Sequence, residues 1–377
     1  MIKAPHELYI GLMSGTSMDG IDSAIIDTSH NSANVVATYC HPIPEHLQAA
    51  IKPLFLPGGD NIDALGSADQ QLGECFTQAV TTLLEQAGLE ASDITAIGSH
   101  GQTVRHRPPN GDTPHPFTLQ IGDPNIIAAR TGITTVADFR RRDMALGGQA
   151  APLVPAFHRA IFHSNKQNRV IVNIGGISNI TFLPTEGEVL GFDTGPGNRL
   201  LDDWIKQQQN KAFDDCGQWA GQHTSDTQLL KQLKAHPFLQ RSIPKSTGRE
   251  EFNKDWLDRQ LKEFDHLSPG CVQATLLTFT AETIADAIKV LPADIDEVFI
   301  CGGGALNTTL MTGLGSLLKS AKVSSTAALG IAPEWVEAAA FAWLARQTLA
   351  GLAGNLPAVT GAKSLTVLGG IYPAYLA

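Results

Sequence analysis

One pattern constrains this chain more than any other. Three times an apolar, strand-like stretch runs straight into a glycine-rich turn: at residues 8–20, 170–179 and 298–307. Short apolar runs bounded by turn residues read as buried strands. Glycine directly after a strand lets another group approach the backbone where a Cβ would obstruct it. A unit of that kind, recurring at long separation in a chain of 377 residues, predicts an α/β protein of two domains facing a common cleft.

The middle copy carries the most chemistry. Val170 to Asn173 reads as a strand, Gly175 and Gly176 turn the chain, and Ile180, Phe182 and Leu183 resume an apolar strand beside Ser178, Asn179 and Thr181. Asp193, Thr194, Gly195, Pro196 and Gly197 close the segment. Arg199, Leu200, Leu201, Trp204 and Ile205 suggest a helix just after Gly197, which would put Asp193 at a strand-to-helix junction. Glycines, hydroxyls and one acidic side chain make a phosphate-facing edge beside a proton acceptor. Two hairpin turns in an ordinary sheet are the plainer reading.

The first copy joins strand Leu8 to Leu12 to strand Ile21 to Ile26 through Ser14, Gly15, Thr16, Ser17, Met18, Asp19 and Gly20. It lacks the lysine and following helix of a P-loop, and it is not a GxGxxG fingerprint. A backbone-lined turn still binds phosphate through amides and hydroxyls. Asp19 would then stand near a metal–phosphate complex, or merely cap the turn. In the third copy, Gly302, Gly303, Gly304 and Asn307 at a strand–helix joint admit a nucleotide base or ribose, or else tight packing between layers.

Two basic stretches stand out. A strand from Ile94 to Ser99 is expected to end in His100, Gly101, Gln102, Thr103, Val104, Arg105, His106 and Arg107, with a proline-bounded excursion over residues 108–116. A second strand, Thr134 to Ala137, runs into Asp138, Phe139, Arg140, Arg141, Arg142 and Asp143. Arginines so placed could grip a carboxylate or phosphate, or one could pair with a flanking aspartate. Residues 147–152 read as a hinge. Further on, helices are expected over 65–88, 223–236, 272–289 and 333–350, and a last strand over Leu365 to Leu368.

Composition narrows the function. The formal net charge of -10 argues against nucleic-acid and membrane-surface roles while leaving room for a local basic site. Five widely spaced cysteines without CxxC read as structural thiols of a reduced, cytoplasmic protein. No apolar run reaches the roughly 18 residues of a membrane span, and the N-terminal residues do not read as a signal peptide. HExxH, GxSxG and Cys–His clusters are absent from the sequence. Glycine turns, cations and an isolated aspartate fit phosphoryl transfer, which needs positioning, Mg²⁺ and a proton acceptor.

Taken in order, GLMSGTSMDGID (11–22), SHGQTVRHRP (99–108), QIGDP (120–124), DFRRRDMALGG (138–148), NIGGISN (173–179), GFDTGPGN (191–198) and CGGGALN (301–307) span nearly the whole chain. Together they resemble the anhydro-N-acetylmuramic acid kinase family, within the superfamily of sugar kinases, actin and heat-shock chaperone ATPases. The resemblance implies two actin-like/ribonuclease H-like α/β domains around a nucleotide cleft. The first would cover residues 1–149 plus about 356–377, the second 150–355. It implies ATP- and Mg²⁺-dependent opening of 1,6-anhydro-N-acetylmuramic acid with phosphorylation of O6, in cell-wall recycling, by a homodimer. A kinase for another sugar hydroxyl and a non-catalytic ATP-binding regulator are the alternatives.

Carried over residue by residue, the resemblance makes Gly15, Thr16, Ser17, Met18, Asp19, Gly20, Ile21 and Asp22 the first phosphate segment, with Asp19 placing Mg²⁺. Asn173, Gly175 and Gly176 would form the second, and Gly302, Gly303, Gly304 and Asn307 would meet the adenosine. His100, Gln102, Thr103, Arg140 and Asp143 would line the sugar side, and Asp193 would accept the proton of the attacking water. One departure stands out: Ala150 occupies a place where the family resemblance leads one to expect glycine, harmless if its backbone angles are ordinary.

Overall fold

The structure is a computed structural model that describes residues 7–15, 18, 20–29, 32–55, 58, 61–109, 114–243, 245–248 and 251–374. Its strands are β1 (Leu8–Ser14), β2 (Gly20–Asp27), β3 (Asn34–Pro42), β4 (Ile94–Arg107), β5 (Phe117–Ile121), β6 (Thr135–Ala137), β7 (Arg169–Ile174), β8 (Ile177–Leu183), β9 (Leu190–Pro196), β10 (Glu297–Cys301), β11 (Lys322–Ser325) and β12 (Gly370–Tyr372). The chain divides into two compact units, Met1–Ile161 with Trp335–Ala377, and Phe162–Glu334.

The first unit holds a sheet in the order β12-β6-β4-β1-β2-β3, with β5 on β4. β1, β2 and β3 are antiparallel neighbours, while β4 runs parallel to β1 and β6 parallel to β4. The second unit holds β11-β10-β7-β8-β9. There too the first three strands are antiparallel, and β10 and β11 run parallel to β7. Setting β7, β8, β9, β10 and β11 against β1, β2, β3, β4 and β6 gives one order twice. That repetition is the actin-like, ribonuclease H-like architecture, and it explains why the strand-then-glycine pattern recurs in the sequence.

A glycine pair seats the last long helix of the first unit. Gly11 of β1 lies opposite Gly98 of β4. A Cβ on Gly11 would come within 1.7 Å of Ala338 O, and one on Gly98 within 2.0 Å of Phe341 O. Helix Val336–Leu349 therefore lies with its backbone directly on the sheet, and its alanine-rich face is what permits the approach. The other face of the sheet is covered by helix Ile62–Ala87, which buries Leu72, Phe76, Val80, Leu83 and Leu84. Asn61 caps its start by accepting from the amides of Asp63 and Ala64, and Gly88 ends it at φ 65°. In the second unit, helix Pro269–Lys289 fills the same kind of place, with Val272, Leu276, Phe279 and Ile284 in a core shared with Val170, Val172 and Ile180.

Four expectations differ from the structure. The division between units falls at 161/162 and 334/335 rather than near 149/150 and 355/356; the helix seated on Gly11 and Gly98 draws residues 335–355 into the first unit. Residues 100–107 are not a loop after a strand end. They continue β4, because β5 supplies hydrogen-bond partners from Gln102 to Arg107. Leu365 to Leu368 is not a strand; the closing strand is Gly370–Tyr372, paired with β6. Asp193 lies within β9, opposite Asn179, rather than at its junction with the helix Arg199–Gln209.

Candidate active site

Each unit presents its own group of the expected residues. In the second unit, two segments meet through their backbones. Gly197 N–H donates to Gly176 O at 3.0 Å, Asn198 N–H to Gly175 O at 2.8 Å, and Arg199 N–H to Gly176 O at 3.2 Å. A side chain at Gly197 would strike Gly175 O at 2.2 Å, so glycine is required there by the crossing itself. The β7–β8 turn and the end of β9 are thus stitched into one edge. Gly302 reaches the same edge from β10 at φ 76°, and a Cβ on it would stand 2.4 Å from Asn173 Oδ1 and 2.8 Å from Ile174 O. Asn173 Oδ1 is buried without a hydrogen-bond partner among the described residues. A buried acceptor left open in this way fits a ligand donor.

Asp193 is held from two sides by one segment. Its N–H donates to Lys245 O at 3.0 Å, and its carboxylate Oδ2 accepts from Thr247 N–H at 2.9 Å. Lys245 is anchored in turn: Nζ donates to Leu239 O at 2.9 Å and Phe238 O at 3.4 Å, and it stands 4.8 Å over the Phe238 ring. Burial, and then the charge of Arg241, lower its pKa from the ordinary lysine value. In the sequence, residues 245–251 are only a polar, turn-like run, which does not disclose this clamp. The only signal for it was a glycine-containing polar run, and pairing with β9 is a long-range event that such a run does not encode.

Asn307 has a structural task, since Oδ1 accepts from Leu310 N–H at 2.9 Å and caps the helix Thr308–Leu317. Gly304 is packed under Ile174, where a Cβ would come within 2.3 Å of Cγ2. Both therefore shape the Gly302 turn.

In the first unit, Gly15 begins a turn closed by Met18 N–H to Gly15 O at 3.3 Å, with Met18 buried at φ 57°. Thr16, Ser17 and Asp19 lie outside the described residues. Ser14 Oγ, at the end of β1, donates to the buried Gln102 Oε1 at 2.7 Å. Gln120 Nε2 donates to Thr103 Oγ1 at 3.0 Å. The end of β1 is thereby fixed to β4, and β4 to β5.

The basic residues of β4 turn out to be committed within the unit. Arg105 Nε donates to Leu54 O, His106 Nδ1 contacts Thr118 Oγ1 at 3.1 Å, and Arg107 donates to its neighbour's carbonyl. Of the three arginines, Arg141 pairs with Asp138 at 3.4 Å on the surface. Arg142 is exposed. Arg140 points inward, and its Nε donates to His100 Nε2 at 3.0 Å. His100 must therefore be neutral, with its proton on Nδ1. Burial, then Arg140, hold its pKa well below the ordinary histidine value. Burial also brings Arg140 down to about 10, against the charges of Glu337 and Asp143. Glu337 is raised by burial and by Asp22, and lowered by Arg140.

Asp143 was expected on the sugar side and is placed otherwise. It is fully buried, and Oδ1 accepts from Asn355 Nδ2 and Thr360 Oγ1, each at 2.8 Å. Oδ2 accepts from Ala150 N–H at 2.9 Å. It ties residues 148–150 to the C-terminal segment. Ala150 itself sits at φ 57° with Arg140 NH1 donating to its carbonyl at 2.5 Å. Its angles are the left-handed ones that glycine would favour, so the departure at this position is a strained one.

Against that geometry, the comparisons with known proteins are direct. The family model described as anhydro-N-acetylmuramic acid kinase matches residues 7–374. The chain belongs to the anhydro-N-acetylmuramic acid kinase family. A protein of that name from Shewanella loihica is 52% identical over 97% of this chain and 98% of its own length. Another from Shewanella sediminis is 53% identical over 97% and 98%. Among solved structures, the Acidaminococcus fermentans (R)-2-hydroxyglutaryl-CoA dehydratase component A matches at a TM-score of 0.47 and 12% identity, over 89% of this chain and 96% of that one. That likeness is too slight to bear on function, and membership of the anhydro-N-acetylmuramic acid kinase family rests on the full-length matches. Among the described residues, no helix is long and apolar enough to cross a membrane.

Proposed function

We propose that this protein is an ATP-dependent kinase that opens 1,6-anhydro-N-acetylmuramic acid with water and phosphorylates O6, giving N-acetylmuramic acid 6-phosphate and ADP. The observation that carries the mechanism is Asp193, fixed on its backbone by Lys245 O and on its carboxylate by Thr247 N–H. A base whose geometry is set beforehand needs no reorganisation when the proton moves. A water O–H gives its proton to Asp193, and the water oxygen forms a bond to C1. The C1–O6 bond breaks, O6 takes the electron pair and attacks the γ-phosphorus, and ADP departs. The proton on Asp193 is released with the products.

The β7–β8 turn with Gly175 and Gly176, the Gly302 turn and Asn173 would hold the nucleotide. Gly15, Met18, Gly20 and Ile21 would hold its phosphates from the first unit. His100, Gln102, Thr103 and Arg140 would present the sugar side; His100, locked neutral by Arg140, offers a fixed Nδ1–H donor. Asp143 supports this set from behind.

Mg²⁺ retains most of its waters and takes one or two carboxylates. In the first unit the Asp22 charge helps hold the buried Glu337 above the ordinary carboxyl range, so a cation beside Asp22 would favour the charged Glu337. Asp19 is the residue that the family resemblance makes the Mg²⁺-placing carboxylate, and it lies outside the described residues. Mg²⁺ would supply charge neutralisation at the phosphates. We further take the working assembly to be a homodimer.

The test is a product assay in ¹⁸O-labelled water with Mg²⁺, ATP and the anhydro sugar, read by mass spectrometry. Label at C1 together with phosphate at O6 is the expected result. Phosphorylation without label would assign the protein to an ordinary sugar hydroxyl. No turnover despite ATP binding would overturn the enzyme reading.

A further inference from the structure

Thr247 does more than donate its amide. Its hydroxyl Oγ1 is buried and has no hydrogen-bond partner among the described residues, although its own N–H lies 2.9 Å from Asp193 Oδ2. Such a hydroxyl is costly to keep, and where one persists, water is its usual partner. Covalent geometry keeps N and Oγ1 of one threonine about 3 Å apart, so Oγ1 lies within about 6 Å of the Asp193 carboxylate. One water that donates both of its hydrogens at ordinary hydrogen-bond lengths spans about 4.5 Å, which lies inside that bound. Two residues before Thr247, the Lys245 ammonium is tied to Leu239 O and Phe238 O.

We propose that Thr247 Oγ1 and the Asp193 carboxylate together hold the single water that attacks the sugar, making Thr247 a substrate-positioning residue of the reaction. The inference rests on the proposed hydrolytic opening. Both oxygens accept from the water, one O–H each. One of the water's two lone pairs is then directed toward C1, while the proton on the Asp193 side is the one transferred. Thr247 exchanges no proton, so its part is orientation. The arrangement explains why this base lies inside a strand and is gripped by a second segment. A base at a flexible strand end would hold a proton acceptor, but it would not hold a water in one direction.

The experiment compares the full-length wild type with Thr247→Val and Thr247→Ser. Valine keeps the shape and the amide and removes only the hydroxyl. Two readouts are taken: high-resolution crystal structures of the ligand-free proteins, and steady-state kinetics on the anhydro sugar. The wild type should show an ordered water bridging Oγ1 and the Asp193 carboxylate, lost in Thr247→Val. Misdirection of a reactant costs up to about 100-fold, so kcat should fall about 10–100-fold in Thr247→Val. KM for ATP should stay within about twofold, and Thr247→Ser should recover most of the rate. A purely structural role would lower the melting temperature and leave kcat of the folded fraction unchanged. Absence of the bridging water in the wild type, or wild-type kcat in Thr247→Val, overturns the proposal. A wild type that holds the water but leaves the anhydro sugar untouched refutes the substrate assignment alone and supports the water site.

Discussion

Replacing Asp193 by asparagine separates chemistry from architecture. The main-chain hydrogen bond from Asp193 to Lys245 O does not involve the side chain and survives. The asparagine carbonyl can still accept from Thr247 N–H, which stands 2.9 Å from Oδ2. What changes is the charge of that contact and the other carboxylate oxygen, which becomes an NH₂ donor. Trading a charge-assisted hydrogen bond for a neutral one costs about 1 kcal/mol. For a unit of this size that is about 2–4 °C in melting temperature. The catalytic effect is larger, since loss of a general base costs about 10²–10⁴ in rate, or roughly 3–5 kcal/mol of barrier. The assay is kcat on the anhydro sugar beside a thermal melt of the same preparation. A fall in kcat of at least about 100-fold with a melting shift of only a few degrees is expected. Turnover within a few-fold of wild type would refute the assignment of Asp193 as base.

Three further outcomes are expected. Gly11→Ala would force a methyl into Ala338 O, destabilising the first unit by more than about 3 kcal/mol, which a denaturation curve or loss of soluble protein would register. At position 150, valine should destabilise by more than about 2 kcal/mol because a β-branched residue tolerates the left-handed angle poorly, while glycine should stay within about 1 kcal/mol of wild type; equal stability of the two variants would contradict the strain at Ala150. Burial lowers His158 to about 3 and His106 to about 4, below the ordinary 6.5. The unfolded chain therefore binds protons first, and stability present above pH 6.5 is lost as pH falls toward 3. From His158 alone the loss at pH 5 is on the order of 2 kcal/mol, and His158→Gln should flatten the dependence in urea titrations at pH 7.5 and 5.

The sequence disclosed what is local. The glycine turns, the long helices and the order of strands around them follow from composition and period over a few residues. What escaped it depends on partners far along the chain. Residues 100–107 look like a basic loop until β5 pairs with them, and their cations then bond to Leu54 O and Thr118. Of the three consecutive arginines, only packing decides that Arg140 turns inward to His100 while Arg141 meets Asp138. Asp143 resembles a ligand-binding carboxylate by position, yet Asn355 and Thr360 fill one of its oxygens. Thr247 could not be found because its neighbour Asp193 lies 54 residues away in sequence.

The seat of helix Val336–Leu349 on Gly11 and Gly98 has a consequence for how the protein is made. The strands of that seat leave the ribosome early, and their covering helix emerges only after the whole second unit. At about 5–20 residues per second, β1 and β4 wait on the order of ten to fifty seconds with one glycine-lined face open to solvent. The second unit, encoded without interruption, can close on its own in that interval. A released chain truncated after Glu334 should therefore yield to protease in its N-terminal part and resist it from Phe162 onward, and uniform resistance would contradict this order. Completion of the first unit thus waits on the segment that follows the second unit in the chain.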